Sequence, residues 1–552
     1  MKSILFLFLS VVFLNAQKTT AQTKADSIKL IQQTASLYHL DFTSDEADSM
    51  LRNVVMARGI YQRMHNRLPK NDLAFPFAFN PQPYGYKMPA AQRIIAWEVP
   101  SNVLLPANKN QLAFYSIPQL ASLIKNKKIT SLELTQFFIE RLKKWGDTLQ
   151  SVITLTEDLA MQQAKEADEE IKKGKYRGPL HGIPYGLKDL FAVKGYKTTW
   201  GTTPYKDQVL DEDAYVYTKL KNAGAVLCAK LSLGALAFNN KWFGGETKNP
   251  WNLQQGSSGS SAGSASSVAA GLLPFTIGTE TLGSIVSPST RCGATGLRPT
   301  FGTVSRSGAM VLCWSLDKAG PICRSAEDDA IVYYYISGTD GKDYGSVTHN
   351  FNYNQNSNIK KLRIAYAENY FKQLPKDALE WKVLDAYKAM GVALKPVSFP
   401  DSAVYPANLI SIILNAESAA AFDELTRSNG DDLIERQDRN FWPNSFRAAR
   451  LIPAVEYINA NRYRAELCQK MQDFMKDYDV IITPTFAGSQ LAITNLTGNP
   501  VVCMPMGFNQ NGLPQSITLI GNLYDEASIL QAAKAYQDKT DHHKKHPPKF
   551  LD

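Results

Sequence analysis

The sequence predicts an α/β fold in which a mixed, largely central, twisted β-sheet is covered by helices on both faces. Three observations carry that expectation. Short runs of almost wholly apolar residues recur along the chain, as strands buried on both sides require. Segments with helical periodicity and capping signals alternate with those runs. The chain has 552 residues, 44% hydrophobic and 20% charged, an ordinary composition for a soluble protein that buries a large core. Length alone allows two to four domains at roughly 100–200 residues each.

The elements follow in chain order. Met1-Lys2-Ser3 is a basic start, Ile4 to Leu14 is apolar apart from Ser10, and small residues follow at Ala16 and Thr19-Thr20-Ala21. This is the layout of a cleaved signal peptide over residues 1–22, and the apolar run is too short to span a bilayer. Cleavage after Ala16 or after Ala21 fits, with Thr19 favouring the second. The mature chain is therefore expected to be periplasmic or secreted, with no stable membrane insertion after cleavage. Residues 23–110 read as an N-terminal helical and Pro-rich segment: helical signals run from Ser44 to Arg67, then Phe75-Pro76-Phe77 through Pro81-Gln82-Pro83 break any regular element.

Residues 111–552 read as one larger domain. Ser116-Ile117-Pro118-Gln119 and Thr130-Ser131-Leu132-Glu133 are capping boxes, the second opening a helix with Leu134, Phe138 and Leu142 on one face. A charged helix is expected over about Leu159–Lys173. Buried strands are expected at Ala223–Lys230, Pro274–Gly278, Leu362–Tyr366 and Val480–Pro484, and a small-residue helix ends at Val268–Gly271. Asp340 to Trp442 shows no clear pattern and ends in the aromatic turn Phe441-Trp442-Pro443.

Charge and cysteine usage narrow the function classes. The net charge of +9 is small for this length, and Glu169-Glu170-Ile171-Lys172-Lys173 has the interleaving of a solvated helix face. No nucleic-acid partner is expected. Six scattered cysteines make no disulfide framework, although Cys313 and Cys323 are open to pairing in an oxidising compartment. There is no metal-ligand spacing, and Asp541–His546 reads as a solvated basic end. No metal and no cofactor are expected.

The chemistry concentrates in three places. Gln255 to Ser267 is Gly/Ser-rich, yet it flows into an Ala-rich helix and is no flexible linker. It lacks the Gly-Lys-Ser/Thr ending of a phosphate loop, and none of its serines sits in a G-x-S-x-G elbow. Gly278-Thr279-Glu280-Thr281-Leu282-Gly283-Ser284-Ile285 is a strand end turning onto a serine. Gly178 to Asp189 carries Lys188 at the end of an apolar, turn-rich segment. Singly, a lysine after an apolar run snorkels to the surface and a serine at a turn caps a helix.

Together, in this order and spacing, these segments resemble the amidase signature family. The likeness extends through Asp213–Val216, Gly293–Thr300, Ser315–Pro321, Asn495–Pro500 and Gly512–Gly521. It implies the amidase signature fold and a Ser–Ser–Lys triad of Ser284 as nucleophile, Ser260 as relay after a cis peptide bond, and Lys188 as base. Backbone N–H groups of Thr281, Leu282, Gly283 and Ser284 would form the oxyanion hole. A lysine acts as a base only when neutral, and burial lowers its pKa from about 10.4; Leu180, Ile183 and Leu187 are the expected lining. Small residues Gly259, Ala262 and Gly263 leave room for the cis bond.

Three departures stand out against the family's Thr-Asp-Thr-Gly-Gly-Ser-Ile-Arg: Glu280 for Asp, Leu282 for Gly and Val286 for Arg. They resemble the secreted, peptide-amidase-like bacterial branch. The implied activity is hydrolysis of a carboxamide C–N bond in a small-molecule or peptide amide. The alternatives are the glutamine-hydrolysing A subunit of a tRNA-dependent amidotransferase and an inactive relative that only binds. Aromatic residues between Phe441 and Phe446 hint at an apolar acyl or aryl group. A homodimer is left open.

Overall fold

The apolar runs pair into one sheet of eleven strands. The computed structural model describes residues 23–551, apart from 37–39, 66–78, 83–85, 87, 89–91, 94 and 402–406. The expected signal peptide and most of the Pro-rich break lie outside the described residues. The strands are β1 (Val152–Leu155), β2 (Pro184–Lys188) and β3 (Val226–Leu231), then two short ladders outside the main sheet, β4 (Lys241–Trp242) with β5 (Gly245–Glu246) and β6 (Lys248–Asn249) with β7 (Asn252–Gly256). The sheet continues with β8 (Phe275–Glu280), β9 (Thr295–Arg298), β10 (Lys318–Cys323), β11 (Ile364–Ala367), β12 (Lys395–Val397), β13 (Val480–Pro484), β14 (Val501–Phe508) and β15 (Pro514–Gly521).

Their spatial order is β1-β3-β2-β8-β10-β9-β14-β15-β13-β11-β12. The contacts β3·β2, β2·β8, β13·β11 and β11·β12 are parallel and the others antiparallel, so the sheet is mixed as expected. Both faces are covered, and the strands show it residue by residue. On β13, Val480 and Ile482 join one hydrophobic core while Ile481 joins another; on β14, Val502 and Met504 divide from Val501 and Cys503 in the same way. Side chains alternate across a strand, so a strand buried on both faces must be apolar throughout.

Both capping boxes form. The Ser116 hydroxyl accepts from Gln119 N–H ahead of the helix Ile117–Lys125, and Thr130 accepts from Glu133 N–H ahead of Ser131–Leu149. Leu134, Phe138 and Leu142 are buried on the second helix. The expected charged helix spans Glu157–Lys172 and the early helix Ser44–His65. The small-residue helix is Ala262–Ala269.

Three details differ from the sequence reading. Ala223-Gly224-Ala225 is not strand: Gly224, at φ +79, closes the helix Tyr215–Asn222, and β3 starts only at Val226. Phe441-Trp442-Pro443 is the start of a helix, Trp442–Ala449, because proline fits the first helical turn. The patternless stretch holds the helices Leu379–Ala389 and Ile410–Ala421; the second is apolar on most sides, which erases the amphipathic signal. All six cysteines are free thiols, so Cys313 and Cys323 do not pair. Among the described residues, no helix is long and apolar enough to cross a membrane.

Candidate active site

The site lies where β2 and β8, parallel neighbours, reach their carboxyl ends, the usual place for a ligand in such sheets. Lys188 is the last residue of β2 and is wholly buried. Its Nζ lies 2.8 Å from Ser260 Oγ, 3.2 Å from Ser261 Oγ, 2.8 Å from Thr279 Oγ1 and 3.3 Å from the Thr279 carbonyl. The expected lining residues Leu180, Ile183 and Leu187 are all buried in the main core, while the partners of the amine itself are polar. Leu187 points to the opposite face of the strand by simple alternation, and hydroxyls surround Nζ. Burial nonetheless lowers the Lys188 pKa to about 7, against a weaker upward pull from Asp317 and Glu280. The amine is therefore available as a base near neutral pH.

The next residue, Asp189, fixes that strand end. Its carboxylate pairs with the buried Lys230 at 2.7 Å and accepts from Thr199 N–H at 2.9 Å.

Ser260 lies just ahead of the helix Ala262–Ala269, and the Gly259–Ser260 peptide bond is cis. Glycine is required around it because backbone passes close by. A Cβ on Gly259 would strike the Asn239 carbonyl, and one on Gly263 the Ser151 carbonyl.

Ser284 sits in the turn between β8 and the helix Val286–Cys292, nearly buried at 9% exposure. Gly283 makes the turn at φ +82, a conformation that glycine adopts without cost. The Ser284 carbonyl accepts from Ser261 N–H at 3.1 Å, which clamps the two serine segments together. The structure thus brings Lys188 and Ser260 into direct contact and holds Ser284 beside them through the backbone. Ser284 Oγ itself makes no hydrogen bond to a described residue. Such contacts often tighten only when substrate binds. The N–H groups of Thr281, Leu282, Gly283 and Ser284 also make no hydrogen bond to a described residue, whereas those of the next two residues are taken. Leu282, in place of glycine, leaves its backbone donor free and turns its side chain outward, 37% exposed.

Glu280 takes the next two. One carboxylate oxygen accepts from Ile285 N–H at 2.8 Å and Val286 N–H at 3.0 Å; the other accepts from Arg298 at 2.9 Å and Asn495 at 3.0 Å. Arg298 and Glu280 are fully buried together. Burial alone would raise the Glu280 pKa, but Arg298 and the N–H donors outweigh it and hold the carboxyl at about 2. Sequence reasoning noted Glu280 only as a departure and missed Arg298, Asn495, Ser261 and Thr279. Each stood inside a quoted motif, but their partners are far away in sequence. Asn495 also accepts from Lys318 at 2.7 Å.

A cavity of about 910 Å³ opens beside this turn, with Thr279 and Thr281 in its wall. Phe441, Trp442 and Phe446 do not line it. They are core residues, with Trp442 and Phe446 stacked at 5.1 Å between centroids. Among the described residues, no cluster of His, Cys, Asp and Glu is placed to hold a metal ion.

The profile of the amidase family matches residues 133–530. The chain belongs to the amidase family. Its relatives include the A subunit of the glutamyl-tRNA(Gln) amidotransferase of Coxiella burnetii (strain Dugway 5J108-111), 32% identical over 482 residues, covering 78% of this chain and 99% of that one. The corresponding protein of Acinetobacter baumannii (strain AB0057) is 34% identical over 484 residues, covering 78% and 97%. Among solved structures, the native peptide amidase of Stenotrophomonas maltophilia is similar with a TM-score of 0.70 and 27% identity, over 80% of this chain and 99% of that one. Membership of the amidase family makes this an amide-hydrolysing enzyme, and its mixed sheet flanked by helices matches the fold of the solved peptide amidase.

Proposed function

We propose that the enzyme cleaves the C–N bond of a small-molecule or peptide carboxamide through an acyl-enzyme on Ser284. The observation that carries this reading is the 2.8 Å contact between the buried Lys188 amine and the Ser260 hydroxyl. Neutral Lys188 takes the Ser260 proton while Ser260 takes that of Ser284, and Ser284 Oγ bonds to the amide carbon. The carbonyl oxygen becomes an oxyanion facing the free N–H groups of Thr281–Ser284, each worth about 3 kcal/mol at comparable sites. The C–N bond breaks as the proton returns through Ser260 to the leaving amine. Water, deprotonated by the same relay, then releases the carboxylate and frees Ser284.

With a pKa near 7 about half the amines are neutral at pH 7. With an ordinary lysine pKa the fraction is roughly a thousandfold smaller. Labelling by a fluorophosphonate tests the assignment: it should mark the wild type and be lost in Ser284→Ala, together with ammonia release from carboxamides. Ammonia release surviving in Ser284→Ala would end it.

The similarity to peptide amidase supports a place in the peptide-amidase-like branch. A second reading, glutamine hydrolysis within a tRNA-dependent amidotransferase, is supported by the two amidotransferase relatives. Glutaminase activity with co-purifying tRNA and partner chains would favour it over the first. The basic, apolar, small-residue start of the chain supports export to the periplasm or medium. A full-length, uncleaved protein in the cytoplasmic fraction would count against export.

A further inference from the structure

The cavity beside Thr281 differs from a site built to hold an amino acid, because the ionisable side chains of its inner wall are already engaged. Arg306 is bidentate to Asp343, at 2.8 Å for each contact, and also donates to the Trp314 and Asp317 carbonyls. Asp317 accepts from the Thr281 hydroxyl at 2.6 Å and from Leu312 and Cys313 N–H. Glu417 accepts from Ser315 through both its N–H and its hydroxyl, and from Tyr457 O–H at 2.9 Å. Lys318 is committed to Asn495. Arg450, also in the wall, is paired with Asp423, and Lys342 is exposed to solvent. A carboxylate or ammonium entering the inner wall would therefore leave water and would have to displace these hydrogen bonds to gain a partner, which is costly. Much of the remaining wall is apolar or small, including Met310, Leu312 and Ala416, Ala419 and Ala420 of the helix Ile410–Ala421. At the wall, Trp314 is 48% and Tyr344 94% exposed, so large rings stand in solvent where a ligand can cover them.

We propose that this cavity takes the uncharged, apolar acyl part of a carboxamide and discriminates against substrates carrying a free charge, glutamine included. The proposal rests on the Ser284 acyl-enzyme reading and names its substrate class. The cavity's volume is that of a site for a drug-sized ligand, so an aryl-bearing acyl group fits.

The test compares kcat/KM for 3-phenylpropionamide, butyramide, succinamate and glutamine on the full-length enzyme. Succinamate places a carboxylate where butyramide has a methyl group. We expect 3-phenylpropionamide to lead, exceeding succinamate and glutamine at least a hundredfold, with butyramide between. In Ala420→Trp, at an exposed helix position, the ratio of 3-phenylpropionamide to butyramide should fall at least tenfold. Glutamine or succinamate matching 3-phenylpropionamide would overturn the proposal, as would an unchanged ratio in the folded variant. Fluorophosphonate labelling of Ser284 in the same preparations separates the two levels. A labelled enzyme that prefers glutamine refutes the substrate class alone, whereas an unlabelled one refutes the acyl-enzyme reading beneath it.

Discussion

Replacing Glu280 by Gln should cost both stability and rate, for reasons that can be separated. All four groups at its carboxylate are donors: Ile285 and Val286 N–H on one oxygen, Arg298 and Asn495 on the other. A glutamine amide must point its NH2 at donors whichever way it turns. It also leaves Arg298, fully buried, without a counter-charge. Breaking a buried pair from one side costs about 3–5 kcal/mol. The carboxyl gives a compatible figure: a pKa falling from 4.5 to about 2 corresponds to about 3 kcal/mol. Because the folded pKa is depressed, that contribution is complete above about pH 4.5 and is lost as pH falls through about 2.

Denaturant unfolding at pH 7 should show a loss of about 3 kcal/mol in Glu280→Gln. Under native conditions kcat should fall at least tenfold with KM little changed, since the turn holding Ser284 loosens while the cavity wall remains. The double variant Glu280→Leu with Arg298→Leu removes both charges and should recover most of the stability but not the rate. A Glu280→Gln enzyme with full kcat, or a double variant with restored kcat, would refute Glu280 as the anchor of the nucleophile turn.

Other outcomes follow from the same geometry. Lys188→Met should be inactive yet more stable at pH 6. The folded pKa of about 7 against 10.5 means burial of the ammonium costs up to about 5 kcal/mol below pH 7, and that cost fades as pH rises toward 10.5. Thermal midpoints at pH 6 and pH 10 check this, and a gain that does not shrink with pH contradicts it. Asp317 raises the Lys188 pKa, so Asp317→Asn should shift the pH midpoint of kcat/KM to lower pH, by less than about one unit for a partner beyond contact range. Gly283→Ala forces a side chain to φ +82 and places its Cβ 3.3 Å from Leu491. It should cost about 1 kcal/mol and slow labelling of Ser284, whereas an unchanged labelling rate would show that the turn tolerates the strain.

The parts of this structure that were legible in the sequence are those whose signals are local. Capping boxes at Ser116 and Thr130 and the apolar run Val480–Pro484 are read within a few neighbouring residues, and they appear where expected. Boundaries went astray where one residue changes the outcome, as at Gly224, whose positive φ ends a helix inside an apolar run. The three expected triad positions stand out because long motifs surround them, and the structure brings two of them, Lys188 and Ser260, into contact. What holds them in place was not legible. Asn495 reaches Glu280 across 215 residues and Lys318 across 177, separations over which sequence periodicity carries nothing. The aromatic residues from Phe441 to Phe446 hint in the sequence at an apolar acyl or aryl group but lie in the core, because hydrophobicity does not distinguish a core from a pocket.

Catalysis here depends on whether the amine of residue 188 arms the hydroxyl of residue 284. The direct measurement is the second-order rate of Ser284 labelling by a fluorophosphonate between pH 5 and pH 10, for the wild type and for Lys188→Met. A single rise centred near pH 7 is expected in the wild type, and its disappearance with a large loss of rate in the variant. A rise centred near pH 10, or labelling undiminished in Lys188→Met, would contradict the assignment of Lys188 as the base.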